Sequence, residues 1–84
     1  MHFVYALYSD HFDKIYIGYS TDLERRLLFH NQLASAGWTI KFRPWRIVYS
    51  ESFDNKSIAL VREKQLKSSR GREFIRKQIT DFNK

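Results

Sequence analysis

The sequence predicts a small α+β protein in which a three-stranded antiparallel sheet is flanked by helices, with the element order ββαβαα. Two short stretches near the start are rich in aromatic and branched residues, as strands are. Later stretches carry apolar residues at helical spacing behind residues that favour helix starts. The chain has 84 residues, 43% of them hydrophobic, which is enough for one small core. We therefore expect a single domain over residues 1–84.

Composition excludes several kinds of protein. The chain has no cysteine, which excludes disulfides, thiolate metal sites and cysteine catalysis. No stretch approaches the roughly 18–20 apolar residues of a membrane span, and the first residues lack the pattern of a secretory signal. We therefore expect a soluble, cytoplasmic protein with no membrane partner.

The positive charge is concentrated in one part of the chain. Fifteen Lys and Arg against nine Asp and Glu give a net charge of +6, and residues 56–77 hold eight basic residues against two acidic ones. A concentrated positive region favours a polyanionic partner, because each phosphate that a cation neutralises releases counterions. From charge alone, an ordinary solvated helical face is the alternative.

The first two strands are expected at residues 2–8 and 14–19. The polar residues 9–13 between them are few enough for a hairpin loop. Both faces of the first strand are largely apolar, which is typical of a strand that is covered on both sides. Gly18 leaves one place without a side chain on the face that carries Tyr16, where backbone or a ligand could approach closely.

A first helix should follow the hairpin. Thr21 and Glu24 fit a capping box, and the helix should then run to about Ala34. His30 falls within its apolar stripe. Arg26 precedes His30 by four residues, so the two side chains are neighbours on one flank of the helix.

The remaining elements are a loop, a third strand and two helices. The loop should cover residues 35–43, and Pro44 suits the start of an edge strand over residues 45–51. A second helix, capped by Asp54 or Asn55, should end near residue 67. A break at residues 68–71 precedes the last helix, expected over residues 73–82. Its inward residues would be Phe74, Ile75, Ile79 and Phe82.

Glu63 lies within the apolar stripe of the second helix, three residues before Leu66, so it should face the sheet. Burying an unpaired carboxylate is costly, and Glu63 should therefore have a partner. One possibility is an ordinary ion pair with Lys67, four residues later. The other is a hard divalent cation, since Mg²⁺ typically takes only one or two protein carboxylates besides water and phosphate oxygens.

Four other residues could carry chemistry, although each alone has an ordinary structural explanation. Tyr5 and Tyr16 can lie side by side on one sheet face, where aromatic residues commonly serve packing. A phenol of pKa about 10 needs nearby positive charge to deprotonate a water. Arg26 could supply that charge or stabilise a pentavalent phosphate. His30 could relay a proton or bind phosphate near neutral pH, or be a satisfied histidine at a helix–sheet boundary.

Together these residues resemble the GIY-YIG nuclease family. The resemblance rests on Phe3-Val4-Tyr5 and Tyr16-Ile17-Gly18, with Phe3 where the family has glycine, followed by Arg26, His30 and a later Glu63. It covers nearly the whole chain and looks like the small, standalone bacterial branch of the family.

The resemblance implies an endonuclease that depends on Mg²⁺ or Mn²⁺ and hydrolyses DNA phosphodiester bonds without a covalent intermediate. Limited or structure-based specificity is expected. Glu63 would hold the metal ion, and Tyr5 and Tyr16 would position or activate the water. Arg26 would stabilise the developing charge, and His30 would stand in for the tyrosine or histidine helper of the family.

We expect DNA as the partner, with RNA left open. Two other functions also stay open at this point. One is a catalytically silent nucleic-acid-binding module on the same fold. The other is a protein-interaction domain whose contact patch is formed by Trp38, Trp45 and Phe12. The residues expected to contact phosphates are Lys41, Arg43, Lys67, Arg70 and Arg72.

Overall fold

The computed structural model describes residues 1–82, apart from the side chain of Phe82, and its centre is a three-stranded antiparallel sheet. The strands are β1 (His2–Ser9), β2 (Lys14–Ser20) and β3 (Arg46–Phe53). Their order in the sheet is β2-β1-β3, so β1 is central and the other two are edge strands. The predicted α+β class, the antiparallel sheet and the order ββαβαα are confirmed.

Five helical segments surround the sheet. They are α1 (Leu23–Leu28), a π-helix (Phe29–Leu33), a 3₁₀-helix (Trp38–Phe42), α2 (Lys56–Leu66) and α3 (Ser69–Phe82). Within the described part of the chain, none of them has the length and apolar character needed to cross a bilayer.

The sheet separates two cores with different side chains. We call them the aliphatic side and the aromatic side. On the aliphatic side, α2 and α3 complete a core of Val4, Ala6, Ile15, Ile17, Ala59, Leu66, Ile75 and Ile79. On the aromatic side, α1 and the 3₁₀-helix complete a core of Tyr5, Leu7 and Trp45, against which pack Tyr16, Leu23, Leu27, Phe42 and Ile47.

The start of α1 differs from the expected capping box. Asp22, and not Thr21, is the N-cap, because its side chain accepts a hydrogen bond from the backbone N–H of Arg25 (3.1 Å). Asp22 is itself held by Ser20, whose hydroxyl bonds its backbone N–H and C=O, each at 2.9 Å. These local bonds fix Asp22 in an extended conformation that leaves Thr21 outside the helix.

The expected continuous helix to Ala34 is also interrupted. After Leu28 the backbone widens into a π-helix, in which the N–H of Ala34 bonds the carbonyl of Phe29 five residues earlier (2.9 Å). Arg43 donates to the carbonyls of His30 and Ala34, which stabilises this irregular turn from outside. The sequence contains no local signal for this stabilisation, since Arg43 lies 13 residues after His30 and nine after Ala34.

Several later boundaries also shift. The expected loop at 35–43 contains the 3₁₀-helix, β3 begins one residue later than expected and extends to Phe53, and α3 begins at Ser69 and not at residue 73. Ser68 explains the earlier start of α3, because its hydroxyl accepts from the N–H of Gly71 (3.2 Å). Of the residues expected to point inward, Ile75 and Ile79 are buried and Phe74 is 36% exposed. The side chain of Phe82 lies outside the described residues.

Two ion pairs fasten the tip of the β1–β2 hairpin to distant parts of the fold. Asp10 accepts from Arg46 of β3 (2.8 Å), and Asp13 accepts from Arg76 of α3 (2.8 Å). Asp13 also accepts from the hydroxyl of Tyr8 (2.9 Å) and has a positive φ of 52°. Exposed ion pairs stabilise little individually, but these two fix the position of the hairpin tip.

Candidate active site

The register of β1 and β2 determines how the two tyrosines lie. Tyr5 is directly opposite Gly18, and Tyr16 is opposite the next residue on that face, Leu7. The place without a side chain at Gly18 is filled by the phenol of Tyr5, since a Cβ there would lie 2.5 Å from the Tyr5 hydroxyl oxygen. The rings of Tyr5 and Tyr16 are 6.3 Å apart. Gly18 therefore accommodates a side chain of the site.

A buried chain of hydrogen bonds continues from Tyr5. Its hydroxyl oxygen is 3.2 Å from His30 Nε2, and His30 Nδ1 is 3.1 Å from the hydroxyl of Thr39. All three residues are buried. The ring of Tyr16 lies 4.7 Å from that of His30 and is only half-buried. Tyr16 thus covers this series of hydrogen-bonded residues on the side that faces solvent.

Thr39 is a residue of this site that no sequence pattern indicates. Nothing in the sequence distinguishes a threonine in a predicted loop as a site residue. Its role depends on the 3₁₀-helix that turns it toward His30. The backbone carbonyl of Thr39 also accepts from Trp45 Nε1 (2.8 Å), which fastens the 3₁₀-helix to the start of β3.

Burial and nearby charges keep the side chains of Tyr5 and His30 neutral. Burial raises the pKa of Tyr5 to about 12, while the neighbouring guanidinium of Arg26 opposes the rise without overcoming it. Burial also lowers the pKa of His30, and the positive charges of Arg26 and Arg43 lower it further. At neutral pH Tyr5 is therefore a phenol and His30 an uncharged imidazole.

Arg26 presents an unsatisfied donor at this site. Its Nε is buried and has no hydrogen-bond partner among the described residues. Its guanidinium carbon lies 4.9 Å from the ring centroid of Phe29. Leaving a buried donor unpaired costs about 1–3 kcal/mol, so a ligand with acceptor oxygens would gain from binding here.

Glu63 reaches the site from α2, on the opposite side of the sheet. Its carboxylate pairs with Lys67 (3.2 Å), and its side chain is 19% exposed compared with 52% for Lys67. Its negative charge is among those that raise the pKa of Tyr5, after burial and the charge of Tyr16. The half-buried position agrees with the predicted one beside Ala59 and Leu66, and the ion pair considered as an alternative is present.

The side chains available for a metal ion are few. Among residues 1–82 no three His, Asp or Glu side chains come together as a ligand group. Among the described residues, Glu63 is the carboxylate whose negative charge acts on Tyr5. Such a set suits an ion that takes one protein carboxylate and completes its shell with water and phosphate, as Mg²⁺ does.

The residues expected to contact phosphates are distributed unevenly. Lys67 and Arg72 line a cavity of about 390 Å³ together with Tyr16 and Trp38. Lys41 and Arg70 are exposed elsewhere. Contact of these residues with phosphate stays a prediction.

Arg43 and Trp45 both have structural partners. Arg43 donates hydrogen bonds to the backbone carbonyls of His30 and Ala34 (2.8 Å to the latter), so its contact with phosphate stays a prediction. Trp45 is 3% exposed and is wrong as a member of an exposed contact patch, because the backbone just before β3, held by the side chain of Asn31, places it in the aromatic core.

Comparisons with known proteins agree with this arrangement. A family model described as the GIY-YIG catalytic domain matches residues 1–77. A UPF0213 protein of Haloquadratum walsbyi is 36% identical over 84 residues, covering 98% of this chain and 93% of that protein. A UPF0213 protein of Staphylococcus saprophyticus is 44% identical over 54 residues, covering 64% of this chain and 66% of that protein.

A solved structure is also similar. The solution NMR structure of a UPF0213 protein from Bacillus halodurans matches with a TM-score of 0.53 at 33% identity. The match covers 88% of this chain and 80% of that chain. Sequence and backbone thus lead to the same group of proteins.

Proposed function

The chain belongs to the GIY-YIG family, and from that premise we propose that it is a metal-dependent endonuclease that hydrolyses DNA phosphodiester bonds. The observation that carries the proposal is the buried chain from Tyr5 through His30 to Thr39, closed by Tyr16 and bordered by the unpaired donor of Arg26. A core built only for stability would not need to bury this many polar groups.

The two tyrosines have different tasks in this proposal. Half-buried Tyr16 faces the cavity and orients the attacking water, whereas Tyr5 is too deeply buried to be a phenolate at neutral pH. Tyr5 can accept a proton from the attacking water only while it donates its hydroxyl proton to His30 Nε2, which lies 3.2 Å away. Because burial and two arginines lower the pKa of His30, that proton returns readily through Tyr5 to solvent, and the departing oxygen takes a proton from water.

Arg26 and Glu63 act on the phosphate. Arg26 donates to the oxygens on which negative charge develops, where a fixed donor in a buried site is most effective. Glu63 would hold Mg²⁺ or Mn²⁺ in place of its ion pair with Lys67. The ion would supply Lewis-acid stabilisation of the negative charge that develops on the phosphate.

We propose limited or structure-based specificity. The cations at the cavity, Lys67 and Arg72, suit phosphate groups, and phosphate contacts carry no direct sequence information. Binding through such contacts weakens as the salt concentration rises, because each released counterion then gains less free energy on entering the solution.

Cleavage of plasmid and branched DNA in Mg²⁺ or Mn²⁺ tests the proposal. Wild type should cleave, and Glu63→Gln and Tyr16→Phe should each lower the rate by at least about 10²-fold, since each removes several kcal/mol of stabilisation from the reaction. Both variants should unfold at the same denaturant concentration as wild type to within a small shift.

Matched variants separate the site from the surface. Glu73→Gln, on the exposed face of α3, and Tyr8→Phe, at the hairpin tip, should cleave like wild type. Cleavage that survives Glu63→Gln would overturn the role of Glu63 in holding the metal. Salt-sensitive binding without any cleavage would instead favour a catalytically silent nucleic-acid-binding module.

A further inference from the structure

An exposed aromatic row lies beside the proposed catalytic residues and has no task in the mechanism above. Trp38 and Phe12 expose 47% and 48% of their surfaces. Phe42 lies between them, with ring centroids 4.7 Å from Trp38 and 5.5 Å from Phe12. Buried Trp45 supports the row at 5.8 Å from Trp38. Exposed apolar groups that cluster in this way commonly mark a binding surface.

The charges around the row indicate what it binds. Trp38 lines the same cavity of about 390 Å³ as Tyr16, Lys67 and Arg72, and none of the described residues lining that cavity is acidic. Lys14 extends the positive charge, with its ammonium 5.5 Å from the Phe42 ring centroid. Proteins hold single strands with this combination, in which cations follow the phosphates and aromatic rings stack on the bases.

We propose that Trp38 stacks on an unpaired nucleobase next to the phosphate being cleaved, so that the substrate is DNA with unpaired bases. This inference rests on the proposed function and names its substrate class. A base within a duplex is stacked on both faces and has none to offer Trp38, whereas an unpaired base has a free face.

The position of Trp38 couples stacking to the catalytic residues. Its neighbour Thr39 bonds His30, so one short helix carries both the stacking ring and the end of the buried hydrogen-bond chain. A base on Trp38 places its own phosphate in the cavity lined by Tyr16, which orients the water. A second copy of the chain is a poor occupant, because each copy carries a net charge of +6 and this groove is basic.

Fluorescence anisotropy in the presence of EDTA tests the proposal without cleavage. The ligands are a short labelled oligothymidylate strand, the same strand with abasic sites, and a blunt duplex of equal length. Trp38→Ala should raise the Kd for the oligothymidylate about 5- to 100-fold, and Trp38→Phe should raise it less. Neither change should alter the Kd for the abasic strand or for the duplex.

A matched control and a second readout make the test decisive. Phe74→Ala removes a partly exposed aromatic ring of α3 that packs on Tyr49 of β3 and does not line that cavity, and it should leave every Kd unchanged. An equal loss on the abasic strand or on the duplex overturns the proposal, as does unchanged affinity for oligothymidylate. Self-association that Trp38→Ala abolishes in sedimentation also overturns it, since the row would then be a contact between copies.

Failure of the catalytic proposal gives a different result. Tyr16→Phe keeps its ring in the cavity and should bind oligothymidylate like wild type while losing cleavage. If wild type cleaves no DNA with either metal, the proposed function fails. The comparison of the normal and abasic strands then still decides whether Trp38 stacks on bases.

Discussion

The aliphatic and aromatic sides share the same three strands but differ in what covers them. On the aliphatic side two regular α-helices bury branched side chains against the sheet. On the aromatic side a short α-helix, a π-helix and a 3₁₀-helix bury His30 and Thr39 beside Tyr5. Successive side chains of β1 point to opposite faces of the sheet, so this one strand contributes to both cores.

The difference shows how a small domain divides stability from chemistry. Regular helices satisfy their own backbone groups and need only an apolar face, which suits the aliphatic side. Buried polar side chains need partners at specific positions, and irregular turns bring them there; π-helical turns are frequent at functional sites. Glu63 is the exception, because it belongs to a helix of the aliphatic side while its negative charge helps to raise the pKa of Tyr5 on the aromatic side.

The largest expected effect is a loss of stability caused by a substitution in the core of the aliphatic side. Ile75→Ala should lower the free energy of unfolding by about 2–5 kcal/mol, because it removes buried methyl groups and leaves a cavity. Urea unfolding measures the loss, and the rate of DNA cleavage per folded molecule should not change. Ile58→Ala makes the same chemical change at a 57% exposed position and should alter stability by less than about 0.5 kcal/mol. If Ile75→Ala abolished cleavage by folded protein, the division would be wrong.

A smaller loss of stability with a larger loss of activity is expected at Gly18. Gly18→Ala places a methyl group where the phenol of Tyr5 lies, and overpacking costs about 1–3 kcal/mol. The displaced ring should lower cleavage by about 10²-fold, as misplacement of about 1 Å can.

A double variant sharpens this second prediction. The atom nearest to the new methyl group is the Tyr5 hydroxyl oxygen, so Tyr5→Phe should relieve part of the cost of Gly18→Ala. The two changes should then be coupled in a denaturation cycle. Strictly additive losses would contradict the close approach of Tyr5 to Gly18.

The smallest effect is the pH dependence that His30 contributes. Its pKa is lowered in the folded protein by burial and by Arg26 and Arg43, from a usual value of 6.5. Below pH 6.5 the unfolded chain therefore takes up a proton that the folded protein resists. Stability from this group is full above pH 6.5 and is lost as the pH falls toward the lowered pKa.

Substitution of this histidine provides the check. His30→Gln should flatten the fall in unfolding free energy below pH 6.5, measured by urea titrations at several pH values. His11→Gln, which changes an exposed histidine, should keep the slope of wild type. An unchanged slope in His30→Gln would mean that His30 is not held neutral by the fold.

The sheet and the order of the elements could be predicted because they depend on local patterns. Apolar runs bounded by polar loops define β1 and β2, and the spacing of Ala59, Glu63 and Leu66 places the carboxylate beside the buried stripe. These signals lie within a few residues of the feature they determine.

Much of the site could not be predicted in this way, since it depends on distant partners. Thr39 becomes important only when the 3₁₀-helix turns it toward His30, and Arg43 only when it reaches the carbonyls of the π-helix. The sequence predicts a close approach of backbone or a ligand at Gly18, whereas the group that approaches is the Tyr5 side chain from the neighbouring strand. Hydrophobic periodicity contains no information on such pairings.

The fastening of the hairpin tip has a consequence for synthesis on the ribosome. The tip is synthesised well before its partner, because Asp13 is tied to Arg76, which is 63 residues later. Strand β1 likewise needs β3 for its second neighbour, and the aliphatic core needs α3. A nascent chain therefore carries an unfinished hairpin, with open edges and uncovered aliphatic residues, until α3 has been synthesised. Slow translation prolongs exposure to aggregation and to chaperones instead of allowing the chain to fold in stages.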